Sequence, residues 1–182
     1  MRRRRPRSLH APSSSSPGSA AGAGGRLTGR VRLQKVVYLL DRLGLNSRFT
    51  YDYHHYGPYS RDLDIAVADA KAFVGLEEKF EHRVSDGARY SVFLYTKEVG
   101  AAAWGDLDRR RGETLVREFA GVPVTVLELA ATIDWLWREE KIVDWRSELI
   151  RRKSVKVRNG KMERAVGLLD KLGLTPPAPQ PA

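Results

Sequence analysis

Residues 49–60 read Phe49-Thr-Tyr-Asp-Tyr-His-His-Tyr-Gly-Pro-Tyr-Ser60, and they compress a strand, a sharp turn and a helix start into one short stretch. Phe49, Tyr51 and Tyr53 alternate with Thr50 and Asp52, a period of two that places the aromatics on one face of a strand. Gly57-Pro58 is expected to stop that strand, because proline fixes its own φ and biases the preceding residue away from helix. Ser60 then offers an oxygen to the free N–H groups of a following helix, whose first turn carries Asp62 and Asp64, acids suited to that positive end. The expectation is a structural corner formed by Tyr56, Gly57, Pro58, Tyr59 and Ser60, with no catalytic apparatus in it.

Outward from the corner the chain reads as mostly helical. Upstream, Thr28 can cap a helix whose Leu33, Val36, Val37, Leu40 and Leu43 recur at 3.6-residue spacing, with Gly44 at its end. Downstream, a helix from Ser60 to about Val74 is expected to bury Leu63, Ala66, Val67, Ala70 and Phe73. Segments 77–84 and 89–96 flank Ser85-Asp-Gly-Ala88, whose Asp-Gly pair favours a hairpin. Over 97–122, Gly100, Gly105 and Gly112 suggest short helical pieces joined at glycines. Thr125-Val-Leu-Glu128 has the form of a capping box and opens a helix to about Lys141, with Leu129, Ala130, Ile133, Leu136 and Trp137 inward. A short helix near Trp145–Lys153 and a last one from about Lys161 to Leu172, closed by Gly173, complete the set. The fold class is α+β: mainly helical with a minor β component, and the helix followed by a hairpin is compatible with a winged-helix layout.

Length and composition narrow the function classes. The 182 residues suit one domain, over residues 26–174, large enough for a real core. Residues 1–25, an Arg cluster followed by Ser, Pro, Gly and Ala, and the Pro-rich 175–182 cannot bury enough apolar area to offset chain entropy, and both are expected to be disordered tails. There is no cysteine, so disulfides and thiolate metal sites are excluded. No apolar run approaches the roughly 20 residues that span a bilayer, and the expectation is a soluble cytoplasmic protein without membrane partners.

The net charge of +10 is localised. Residues 1–25 carry +5 and residues 146–164 carry +6, so the remainder sums to −1. A charge run is more often a solvated surface than a binding site. The alternative is a nucleic-acid-binding role, with Arg2–Arg7 and Arg151, Arg152, Lys153, Lys156, Arg158 and Lys161 contacting phosphates. The helix from Ser60 argues against a DNA reader, since Arg61 and Lys71 are outnumbered by Asp62, Asp64 and Asp69.

Catalytic and metal chemistry find little purchase. His54-His55 is the one pair that suggests a metal, but adjacent strand residues point to opposite faces and cannot share an ion. No phosphate loop, nucleophile elbow or paired carboxylate spacing occurs, so no enzyme activity, metal or cofactor is expected. Trp135 lies two positions off the stripe of Ala130, Ile133 and Trp137, which makes it the one aromatic assigned to a partner-facing surface.

Taken together, Arg32-Leu-Gln-Lys-Val-Val-Tyr-Leu-Leu40, the Tyr-Gly-Pro-Tyr-Ser corner, residues 90–100, Glu128-Leu-Ala-Ala-Thr-Ile133 and the Lys-rich segment before Leu168-Leu-Asp-Lys-Leu-Gly-Leu174 resemble the bacterial and archaeal YwgA-like proteins and the related Panacea (SocA-like) antitoxin domain. The resemblance covers roughly residues 28–174. It implies a non-enzymatic interaction domain, known in some relatives as an antitoxin that binds and neutralises a protein toxin, with a toxin encoded nearby as the expected partner.

Overall fold

The computed structural model describes residues 25–95 and 104–177. In chain order its elements are β1 (Arg26–Thr28), α1 (Arg30–Arg42), β2 (Asp52–His54), β3 (Gly57–Tyr59), α2 (Arg61–Asp69), β4 (Leu76–His82), β5 (Arg89–Tyr95), α3 (Arg109–Gly121), α4 (Val124–Arg138), α5 (Trp145–Lys153) and α6 (Lys161–Leu172). Among the described residues, six α-helices with two small antiparallel sheets make this an α+β fold. One sheet has the order β1-β5-β4; the other is the β2-β3 hairpin.

α4 is the hub. From Val126 to Asp134 every residue is buried, and the helix packs against α1, α5, α6 and β3. The main core gathers Tyr38, Leu39 and Leu40 of α1, Phe119 of α3, Leu129, Ile133 and Leu136 of α4, Leu149 of α5 and Leu169 of α6, and its packing extends from Leu27 to Leu174. A smaller cluster of Leu63, Val67 and Phe93 packs on Leu33 and Val37, on the other side of α1, and joins α2 to the sheet. α1 is therefore wedged between two apolar layers, which explains why its stripe is broad.

Several local expectations hold. The 49–53 alternation is seen as half-buried Phe49, Tyr51 and Tyr53 between exposed Thr50 and Asp52. The long hairpin pairs residues 76–82 with 89–95, and α5 and α6 fall where read.

Others are corrected. The strand does not stop at Gly57-Pro58: those residues pair with His54 and Tyr53 inside β3, and the reversal lies at His55-Tyr56. Thr28 is not a cap but the end of β1, which is bonded to β5, and Gly29 precedes α1; three residues are too few to show a strand period. The 70–74 turn is a π-helix, and the wider turn shifts the helical phase so that Phe73 is 81% exposed instead of buried. Residues 109–121 form one helix straight through Gly112, not pieces joined at it. A Cβ on Gly112 would lie 2.4 Å from the Trp104 ring, so this glycine permits close packing and breaks nothing. Residues 96–103, with Gly100 and the expected end of the second hairpin strand at Thr96, lie outside the described residues, as do residues 1–24 of the N-terminal tail and 178–182 of the C-terminal one. Among the described residues, no helix is long and apolar enough to cross a membrane.

Candidate functional site

The Leu33-Gln34-Lys35 segment and the corner belong together because one clamps the other. Gln34 accepts from the Ser60 N–H at 2.9 Å and donates to the Ser60 carbonyl at 2.9 Å and to Asp64 at 3.0 Å. Such reciprocal bonding fixes the chain at the entry to α2, where Ser60 Oγ in turn accepts from the Leu63 N–H, the cap read from the sequence. Tyr59 donates to the second oxygen of Asp64 at 2.7 Å. The Lys35 ammonium, only 1% exposed as a residue, donates to the Pro58 carbonyl.

A second clamp comes from the other end of the chain. Lys153 of α5 donates to the His55 carbonyl at 3.0 Å and to Glu128 at 2.9 Å. Lys156 reaches both oxygens of Glu128, at 2.9 and 3.0 Å, and lies 4.6 Å from the centre of the Tyr56 ring. Glu128 is therefore not the reciprocal half of a capping box. α4 starts at Val124 after Pro123 without a side-chain cap, and the carboxylate turns inward because two buried or half-buried lysines need a counter-charge. The same place takes up Gly57: its φ is +84°, and an added Cβ would meet Thr132 Oγ1 at 2.6 Å.

Above this cluster the tip of the β2–β3 hairpin is open to solvent. His54, His55 and Tyr56 are all exposed, Tyr56 by 48%, with the His55 and Tyr56 rings edge to face at 4.9 Å and His54 against Tyr59 at 4.7 Å. They line a cleft of about 290 Å³ together with Arg30, Gln34 and Lys35. Among the described residues no group of three or more His, Asp or Glu is placed to hold a metal ion.

Burial with no fully exclusive anionic partner moves the Lys35 pKa down to about 8; Glu128 works against that shift, while Lys153 and Lys156 add to it. Desolvation also lowers the Lys153 pKa. In the unfolded chain a lysine titrates near 10.4, so between pH 8 and 10 the unfolded state binds more protons than the folded one and stability rises with pH. The expected gain from Lys35 is on the order of 3 kcal/mol across that window. Above pH 10 the sign reverses, since burial raises the Tyr38 and Tyr51 pKa values, helped by Asp134 and Asp41 respectively. Urea denaturation at pH 7.5, 8.5 and 9.5 should show the rise, and Lys35→Met should flatten it. A flat wild-type profile would mean that Lys35 keeps its ordinary proton affinity.

The basic segment is largely committed to internal pairs. Arg151 bonds Glu148, Arg152 bonds Glu140 and Glu148, and Lys153 and Lys156 share Glu128. Arg158 is exposed and Lys161 half-buried. Arg2–Arg7 lie outside the described residues.

Trp135 is half-buried and packs against the main core. Its ring centre is 6.4 Å from those of Tyr38 and Tyr53, and its Nε1 donates to Glu140 at 2.9 Å. Trp137, placed inward by the sequence, is also only half-buried, whereas Leu136 is fully enclosed. α4 is covered on most sides, so a single inward stripe does not describe it. Trp135→Ala should cost on the order of 2–3 kcal/mol, below the value for a fully buried tryptophan. A thermal melt of the free protein checks this, and an unchanged midpoint would return Trp135 to the role of a surface anchor.

Sequence reasoning passed over Gln34, Lys35, Glu128 and Asp134 as site residues. A signal existed for the last two: they are the only carboxylates in the apolar run 124–138, and an acid there needs a buried donor. Asp134, fully buried, receives Tyr38 at 2.7 Å and Arg138 at 2.7 Å and pairs with Arg42.

The architecture is thus an α+β protein that holds an exposed hairpin tip on a buried lysine–glutamate cluster. No protein-family model matches the chain. It is 30% identical over 122 residues, 64% of its own length and 72% of the relative's, to a Bacillus subtilis (strain 168) protein named Uncharacterized protein YwgA. The chain belongs to the YwgA family.

Proposed function

We propose that the chain is a non-enzymatic binding module of the cytoplasm, antitoxin-like in its action, which holds a protein toxin through the β2–β3 tip and needs no cofactor. The carrying observation is the contrast between exposed His54, His55 and Tyr56 and the internal lysines that fix the carbonyls of His55 and Pro58 beneath them. A tip held in advance loses little conformational freedom on association, so its contacts convert more fully into affinity. Likeness to the Panacea antitoxin domain supplies the class of partner.

The test is co-expression with the product of a small adjacent gene that is toxic alone. The wild-type chain should restore growth, and His55→Ala/Tyr56→Ala should fold normally yet fail to do so. No rescue by the wild-type chain would overturn the antitoxin reading. The nucleic-acid alternative has less support, because Arg151, Arg152, Lys153 and Lys156 already face carboxylates. Duplex DNA binding at low salt that is lost on charge reversal at Arg158 and Lys161 would favour it instead.

A further inference from the structure

The geometry points to a second binding surface, on the other side of Arg30 and Val31 from the tip cleft: a groove of about 650 Å³ between the start of α1, the turn end of the β4–β5 hairpin and the start of α4, which takes an acidic peptide segment of a partner protein carrying apolar side chains. Its floor is half-buried Val31 with Phe80 and Val124, exposed by 48% and 39%. Its rim carries Arg30, Arg32, Arg83 and Arg89, and among the described residues no carboxylate lines it.

The positive charge of the rim is only partly balanced from within. Arg30 shares the one carboxylate of Glu78 with Lys71, and Arg83 pairs with Asp86. Arg32 donates to the carbonyls of Thr28, Phe119 and Val122, which hold it in place without cancelling its charge. Arg89 lies over Phe80 with its guanidinium carbon 3.7 Å from the ring centre, and the residue is exposed to solvent. The first turn of α1 adds to the same sign, having no acidic residue and no side-chain cap.

Charge and shape together select the occupant. An arginine rim favours approach by an acidic partner and disfavours a basic one. A phosphate backbone would satisfy the rim but place nothing on Val31, Phe80 and Val124, whereas a peptide with acidic and apolar residues fills both. The groove shares Arg30 and Val31 with the cleft at the tip, but Phe80, Arg83, Arg89 and Val124 lie outside that cleft, so substitutions at those four test this surface apart from the antitoxin reading.

Selection of the full chain against displayed random peptides of about 12 residues supplies the probe. The expected winners combine Asp or Glu with Leu or Phe. A synthetic winner should bind by fluorescence anisotropy, weaken as salt is raised, and lose at least about tenfold in affinity to Arg89→Glu. Phe80→Ser and Val124→Asp should weaken it as well, and His55→Ala/Tyr56→Ala should not. All three groove positions are exposed, and thermal melts of each variant check that it folds. Winners without acidic residues, equal binding by Arg89→Glu, or loss confined to the tip variant would overturn the assignment. So would displacement of the peptide by duplex DNA at comparable concentration, which would make the groove a phosphate site.

Discussion

Glu128→Ala should lose about 3–5 kcal/mol of stability, the penalty for leaving buried charges without their counter-ion. Glu128 receives Lys153 at 2.9 Å and Lys156 at 2.9 Å, and both it and Lys153 are almost wholly enclosed. Removing the carboxylate strands the Lys153 ammonium and takes away the negative charge that favours protonated Lys35, whose burial already disfavours its charge. The damage should reach the surface, because Lys153 also holds the His55 carbonyl. A double-mutant cycle in urea isolates the pair: Glu128→Leu/Lys153→Met should cost less than the sum of its singles by 1 kcal/mol or more, roughly. Additive losses would show that the two side chains do not depend on each other.

The exposed ion pairs provide the contrast. Arg26–Glu81 and Arg109–Glu113 leave both partners well open to solvent, where such pairs contribute about 0–1 kcal/mol. Glu113→Ala should therefore be nearly silent beside Glu128→Ala. The pairs near the core are set apart by burial, not by their distances, which are alike.

Helices α5 and α6 and the β4–β5 hairpin were legible in the sequence because each is a local signal: apolar periodicity, turn residues, a terminal glycine. The corner was legible as a corner, although its reversal falls two residues earlier than Gly57-Pro58. What could not be read were features decided by distant chain. β1 exists only through its pairing with β5, about 65 residues away. Glu128 has the local spacing of a cap, yet lysines from α5 and the turn after it take its carboxylate. Gly112 looks like a break until Trp104 is placed beside it. In the candidate site the sequence showed a structural corner, not the exposure of His54, His55 and Tyr56 at its tip, and Gln34 and Lys35 entered only as part of the Leu-Gln-Lys motif, without a role. Their partners are Ser60, Asp64 and Pro58, brought onto α1 by the corner from more than 20 residues away, which no helical period reveals.

Gly57→Val should be nearly as damaging as loss of Glu128, for two separable reasons. The residue's φ of +84° lies where a β-branched side chain is strained, and a new Cβ would stand 2.6 Å from Thr132 Oγ1, on the fully buried face of α4. Strain and overpacking together come to roughly 3–5 kcal/mol. The terms can be divided with Gly57→Ala. In a Thr132→Ala background the hydroxyl is gone and the steric part should be recovered, while the cost of the positive φ remains. Gly57→Ala alone should thus be more destabilising than Gly57→Ala measured in Thr132→Ala, by urea midpoint at constant slope. Because Gly57 pairs with His54 at the base of the tip, lost partner binding in Gly57→Val would be a consequence of folding and not of contact. An unchanged midpoint for Gly57→Val would mean that α4 yields to the extra atoms, and the close approach of corner to hub would not be what fixes the tip.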